Sequence, residues 1–166
     1  MTDTVKEPIK RLLHNHPFFA GMEEPMLEKL AACATTRTYK AGHRVLKEGA
    51  CADHFTVLLS GCVAVEVATP EHGMKPLQTL HVGDILGWSW LVAPYRWTFS
   101  ATAREDTDAL VFDAPCLRRA LEADHELAYH LMPRFVAVMS ERLHSARLQM
   151  LDLYGPPAGS GERGLS

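Results

Sequence analysis

No run in this sequence is apolar for long enough to cross a bilayer. The longest such stretches, around Phe55 to Val65 and Ile85 to Tyr95, fall far short of the about 20 residues a helical span needs. The opening residues, MTDTVKEP, lack the basic-then-apolar order of a signal peptide. These absences predict a cytoplasmic protein with no membrane insertion. Cysteine is scarce, and Cys33, Cys51, Cys62 and Cys116 show no C-x-x-C or other short ligand spacing. Clustered zinc and iron–sulfur sites are thereby excluded, and reduced, mostly buried thiols are expected. Charge of one sign is also missing: a formal net charge of −3 gives no attraction for a polyanion. Catalytic signatures are absent too, with no G-x-S-x-G, no P-loop and no locally supported Cys/His nucleophile. The one His-x-His pair, His14 and His16, precedes the β-rich region. His43, His54, His72, His81, His125, His130 and His144 are scattered, and solvated or capping roles are expected of them. No enzyme, resident cofactor or metal is predicted.

What the chain does contain is a patterned β-rich middle between helical ends. At 166 residues and 47% hydrophobic content it has enough apolar material for one core without a disulfide or metal staple. Ile9, Leu12 and Leu13 among charges predict a short amphipathic helix over Val5 to His14, ended by His16-Pro17. A second helix is expected from about Glu24, with Pro25 in its first turn and Met26, Leu27, Leu30 and Ala31 at helical spacing. From Thr35 the texture changes to short β-prone runs: Thr35 to Tyr39, Arg44 to Leu46, Phe55 to Leu59, Cys62 to Val67, Leu77 to Val82 and Ala101 to Phe112. Glycine turns punctuate them. Many short strands at close intervals imply a sandwich or barrel rather than a parallel sheet. Helical texture returns at Cys116 to Ala123 and again from about Asp124 to Tyr154, where Pro133 should kink the helix or open a new one. Met132, Phe135, Met139, Leu143, Ala146, Met150 and Leu153 form a near-heptad seam suited to a second helix; packing on the chain's own barrel is the alternative. The segments read as 1–34 N-terminal helices, 35–115 barrel, 116–154 C-terminal helices and 155–166 disordered tail.

The order of these pieces resembles the cyclic-nucleotide-binding domain. The resemblance rests on Pro17 to Met22 (PFFAGM), Tyr39 to Gly49 (YKAGHRVLKEG), Leu58 to Val65 (LLSGCVAV), Val82 to Gly87 (VGDILG) and Ala103 to Thr107 (AREDT). It implies a mainly β fold with flanking helices (α+β): a double-stranded β-helix, or jelly-roll barrel, with N-terminal helices and a long C-terminal helix. It also implies a phosphate-binding cassette at Gly87-Trp88-Ser89-Trp90-Leu91, where amides at a helix start would face a cyclic phosphate.

This chain departs from the family at two cassette positions. Where the resemblance places a glutamate for the ribose hydroxyl stands Trp88, which can donate but cannot accept as a carboxylate does. Where it places the phosphate arginine stand Trp97 or Thr98, with Arg96 adjacent. Arg96 could supply the bidentate clamp if the loop through Ala93-Pro94-Tyr95 shifted by about a residue. The candidate ligand-binding residues are therefore Gly87, Trp88, Ser89, Trp90, Arg96, Trp97 and Thr98. The indoles of Trp88, Trp90 and Trp97 could stack on a planar ligand or fill the pocket. The base-contacting hydroxyls of some family members fall near Ala146 and Arg147, with Ser145 adjacent, so the resemblance does not choose between cyclic AMP, cyclic GMP and another ligand.

The resulting expectation is a regulatory small-ligand-binding domain, the ligand a cyclic nucleotide of unassigned identity. It would homodimerise through the C-terminal helix and signal to a separate protein partner. Without a recognition helix after Tyr154, no direct DNA binding is expected. The alternative is a ligand-free dimeric scaffold with a tryptophan-filled pocket.

Overall fold

A computed structural model describes residues 3–154, with side chains described over 7–152. The expected tail at 155–166 lies outside the described residues. Helix α1 (Asp3–Asn15) buries Ile9 and Leu13 on one face. His16 takes the extended backbone that Pro17 imposes, and its Nδ1 accepts a hydrogen bond from the Phe18 amide at 3.2 Å. That bond caps a single 3-10 turn, Pro17–Phe19. Helix α2 (Glu24–Ala31) carries Pro25 in its first turn and buries Met26, Leu27, Leu30 and Ala31.

Eight antiparallel strands follow: β1 (Ala34–Tyr39), β2 (Arg44–Leu46), β3 (His54–Leu58), β4 (Val63–Thr69), β5 (Gly73–Leu80), β6 (Ile85–Leu86), β7 (Ser100–Ala103) and β8 (Thr107–Asp113). They form two four-stranded sheets, ordered β1-β8-β3-β6 and β2-β7-β4-β5. This is the expected mainly β jelly-roll class. The run Ala101 to Phe112 is broken at Arg104 to Asp106, where the chain passes from one sheet to the other.

Because side chains alternate along a strand, Phe55 and Val57 share one face of β3 while His54 and Thr56 share the other. Phe55 stands opposite Phe112 in register, and their rings stack at 5.3 Å. Phe18 lies 5.8 Å from Phe55, and Phe19 lies 5.8 Å from Phe112. The Pro17 turn thus inserts two aromatic rings against one face of the first sheet, which closes the core on that side.

Helix α3 (Ala114–Ala123) begins at Asp113, whose carboxylate accepts from the Cys116 amide at 2.8 Å. Helix α4 (His125–Tyr154) is capped by Asp124, which accepts from the amides of Glu126 and Leu127 at 3.1 Å. Lys29 on α2 pairs with Asp124 and holds its carboxyl below the usual carboxylate range. Pro133 lies inside α4, which runs through it as one helix; no new helix opens there, so the position forgoes one ladder bond. The chain divides into two units, 1–130 and 131–166. In the second, Phe135 is buried, whereas Val136, Met139, Leu143, Met150 and Leu151 are exposed.

The expectation of reduced thiols is wrong for two of the four cysteines. Cys33 and Cys116 form a disulfide with Cα atoms 5.6 Å apart and a sequence separation of 83. Pairing of β1 with β8 sets Ala34 opposite Phe112, and the Asp113 amide donates to the Cys33 carbonyl at 2.8 Å. The first turn of α3 then brings Cys116 back over Cys33. Local spacing cannot register a meeting made by strand pairing. Cys51 is a free, exposed thiol, and Cys62 is free and half-buried.

Candidate ligand-binding site

The cassette leaves β6 at Gly87, whose φ of 89° lies in the left-handed region that glycine tolerates. Trp88 follows with φ −132° and ψ −1°, and the expected helix is one 3-10 turn, Ser89–Leu91. Three residues align few peptide dipoles, so the attraction for an anion at this turn is weaker than at a full helix. The chain continues through a cis Ala93-Pro94 bond and a left-handed Tyr95.

Residues 95–97 then lace to the loop at 49–52. The Trp97 amide donates to the Ala50 carbonyl, the Gly49 amide to the Trp97 carbonyl, and the Ala52 amide to the Tyr95 carbonyl. Cys51 and Arg96 are bridge partners at the centre of this pairing. Alternation sends Trp97 inward, where it is 5% exposed, and leaves Arg96 and Thr98 exposed. The Arg96 guanidinium donates to the Gly49 carbonyl at 3.1 Å.

Trp97 occupies the room that the glycine leaves. A Cβ on Gly87 would stand 2.5 Å from Trp97 Cζ3 and 2.8 Å from Cη2. The close approach that Gly87 permits is therefore to this indole. The ring also meets His54 edge-on, with centroids 5.4 Å apart. His54 is not the solvated histidine expected: its side chain is 19% exposed and its Nδ1 lies 2.7 Å from Asp53 Oδ1.

Trp90 does something different. It is fully buried, 5.9 Å from Phe55 and tilted toward it, on the β3 face opposite His54. The two buried indoles straddle β3, one fastening the cassette to the aromatic core and the other covering Gly87. Trp88 and Ser89 are half-buried.

Arg118, on α3, went unnoticed in the sequence. Its Nη1 donates to the Trp90 carbonyl at 2.7 Å, and its guanidinium lies 4.3 Å from the centroid of the Tyr95 ring. One side chain thus grips the cassette at two points. Nothing local in the sequence signals this, because the contact joins residues 28 apart.

The fold has known relatives. A protein from Geobacter metallireducens GS-15, assigned as cyclic nucleotide-binding, superposes with a TM-score of 0.73 at 27% identity, covering 82% of this chain and 98% of its own. A cyclic nucleotide-binding domain from Methylobacillus flagellatus KT superposes with a TM-score of 0.76 at 18% identity, over 95% of this chain and 89% of its own. Residues 36–124 match the family model of the cyclic nucleotide-binding domain. The chain belongs to the cyclic nucleotide-binding domain family. A curated relative, Glutaminase 1 of Bradyrhizobium diazoefficiens, is 32% identical over 133 residues, which is 79% of this chain and 21% of the glutaminase. The chain therefore spans about a fifth of that relative's length. At the two positions where the resemblance places the phosphate arginine, Trp97 is buried and Thr98 is exposed. Among the described residues no helix is long and apolar enough to cross a membrane, and no group of three His, Cys, Asp or Glu side chains is placed to hold a metal.

Proposed function

We propose that this chain is a regulatory ligand-binding module in which Trp97 gates the seat beside Gly87 and Arg118 relays the cassette's position to α3. The observation that carries the reading is the double grip of Arg118 on the Trp90 carbonyl and the Tyr95 ring. A group that moves the cassette must stretch or release a charge-assisted hydrogen bond and a cation–π contact, both of which end on one helix. Family membership supports a cyclic nucleotide as the ligand, and Trp97 over Gly87 implies that binding must first displace an indole. A ligand held on those terms binds more weakly than at an open seat.

Output passes through the C-terminal helix to a second copy and to a separate protein, in the cytoplasm. The exposed Met139, Leu143 and Met150 on α4 support the dimer. The module is regulatory and not catalytic; matching 21% of a glutaminase fits an accessory domain better than an enzyme. The scaffold reading is favoured by the same indole, because a ring on Gly87 with Arg96 bonded outward leaves the family's anion contacts unmade.

Calorimetric titration with cyclic AMP and cyclic GMP, paired with hydrogen exchange, separates the two. The regulatory reading expects a weak isotherm and altered exchange in α3 at saturation, lost in Arg118→Ala. If folded protein gives no heat and no exchange change with either nucleotide, the scaffold reading replaces it.

A further inference from the structure

We propose that Cys33–Cys116 is a reversible redox latch that fixes α3, and through Arg118 the cassette, when closed. The inference rests on the link between Arg118 and the cassette described above. Helix α3 is held at both ends: its first turn by the disulfide to Cys33, in the link between α2 and β1, and its C-cap by the ion pair of Asp124 with Lys29 of α2. Arg118 lies two residues beyond Cys116, about half a helical turn. Whatever lets Cys116 move also lets the guanidinium move off the Trp90 carbonyl. Of these ties the disulfide is the one that can be broken and remade covalently.

Two further observations separate a latch from a fixed staple. Domains built on structural disulfides pair their thiols in oxidising compartments, yet this chain keeps Cys51 exposed and unpaired beside its one bond. The two half-cystines also differ in exposure, Cys33 being buried and Cys116 half-buried, which makes Cys116 the side from which attack is expected. A thiolate of a cellular dithiol attacks the Cys116 sulfur, forms a mixed disulfide there and expels Cys33 as the thiolate. The second thiol of the dithiol then closes its own disulfide and releases Cys116. Two electrons pass from the dithiol to the protein, and the two dithiol protons end on Cys33 and Cys116.

The test uses the full chain with Cys51→Ser, which prevents shuffling through the exposed thiol. Thiol titration in denaturant should count one reactive group (Cys62) before dithiothreitol and three after it. On reduction, hydrogen exchange in peptides covering 114–123 and 88–96 should rise about tenfold or more beyond the rise in β3 and β8, which report global stability, and return on reoxidation. In Arg118→Ala, only 114–123 should show this excess on reduction. Three reactive thiols in protein never exposed to reductant would overturn the proposal, as would equal exchange of 88–96 in the two redox states. Lack of cyclic-nucleotide binding would remove the ligand reading and leave these readouts as they are.

Discussion

Replacing Gly87 with alanine drives a methyl group into the Trp97 ring. The new carbon would stand 2.5 Å from Cζ3 and 2.8 Å from Cη2, against the about 3.5–4.0 Å at which carbon atoms pack. Ring or backbone must give by about 1 Å, and overpacking on this scale costs about 1–3 kcal/mol. The φ of 89° adds about 1–2 kcal/mol for a residue with a Cβ in the left-handed region. The expected loss is therefore about 2–5 kcal/mol. Gly49→Ala supplies the control, because its φ is 82° but nothing lies within 4 Å of the added carbon. It should lose only the backbone part, about 1–2 kcal/mol. Trp97→Ala alone should lose about 3–5 kcal/mol. The double variant should lose less than the sum by about 1–3 kcal/mol, because the methyl then enters vacated space. Equilibrium urea denaturation with unchanged m-values measures all four. Equal losses for Gly87→Ala and Gly49→Ala, or strict additivity in the double variant, would refute the contact.

Other parts of the fold make separate predictions. Burial pushes the His16 imidazole pKa down from its ordinary value, against the opposing pull of the nearby Leu58 carbonyl and the Asp84 charge. Its neutral form caps Phe18, so this stability is present above about pH 6.5 and lost as pH falls through the lowered value; His16→Gln should flatten that slope in denaturation midpoints. The Cys33–Cys116 bond closes a separation of 83 residues, so Cys33→Ser with Cys116→Ser should lose about 4.5 kcal/mol in the chain-entropy model. A loss below about 1 kcal/mol would contradict that. Arg118→Ala removes a charged donor from the Trp90 carbonyl and a cation from the Tyr95 ring, for about 2–4 kcal/mol together by denaturant titration.

The β-rich middle was readable because its determinants are local. Val63, Val65 and Val67 alternate, and glycine turns separate the runs. The run expected from Leu77 begins four residues earlier, at Gly73, where glycine and Pro76 carry little β propensity. The sheet order puts β5 at an edge, where a proline needs no partner for its missing amide, and the β4–β5 register shifts beside Pro76. The cassette was placed through the family resemblance of Val82 to Gly87, but the parity of Arg96 and Trp97 depends on the Cys51–Arg96 bridge. Arg118 and the disulfide were invisible for the same reason: each joins segments that only strand pairing and helix docking bring together. Of the two outcomes expected at Pro133, the opening of a new helix does not occur. A local breaker sits inside a helix of 30 residues, whose length outweighs one lost bond.

The account turns on the indole beside Gly87, and calorimetry of cyclic AMP and cyclic GMP on wild type and Trp97→Arg tests it most directly. The substitution removes the ring and supplies a guanidinium at one of the two positions, Trp97 and Thr98, where the family resemblance places it. A charge-assisted contact of about 1.5–3 kcal/mol predicts an affinity gain of about tenfold or more in protein shown to be folded by circular dichroism. Wild type binding either nucleotide as tightly as Trp97→Arg would contradict the claim that Trp97 closes the seat.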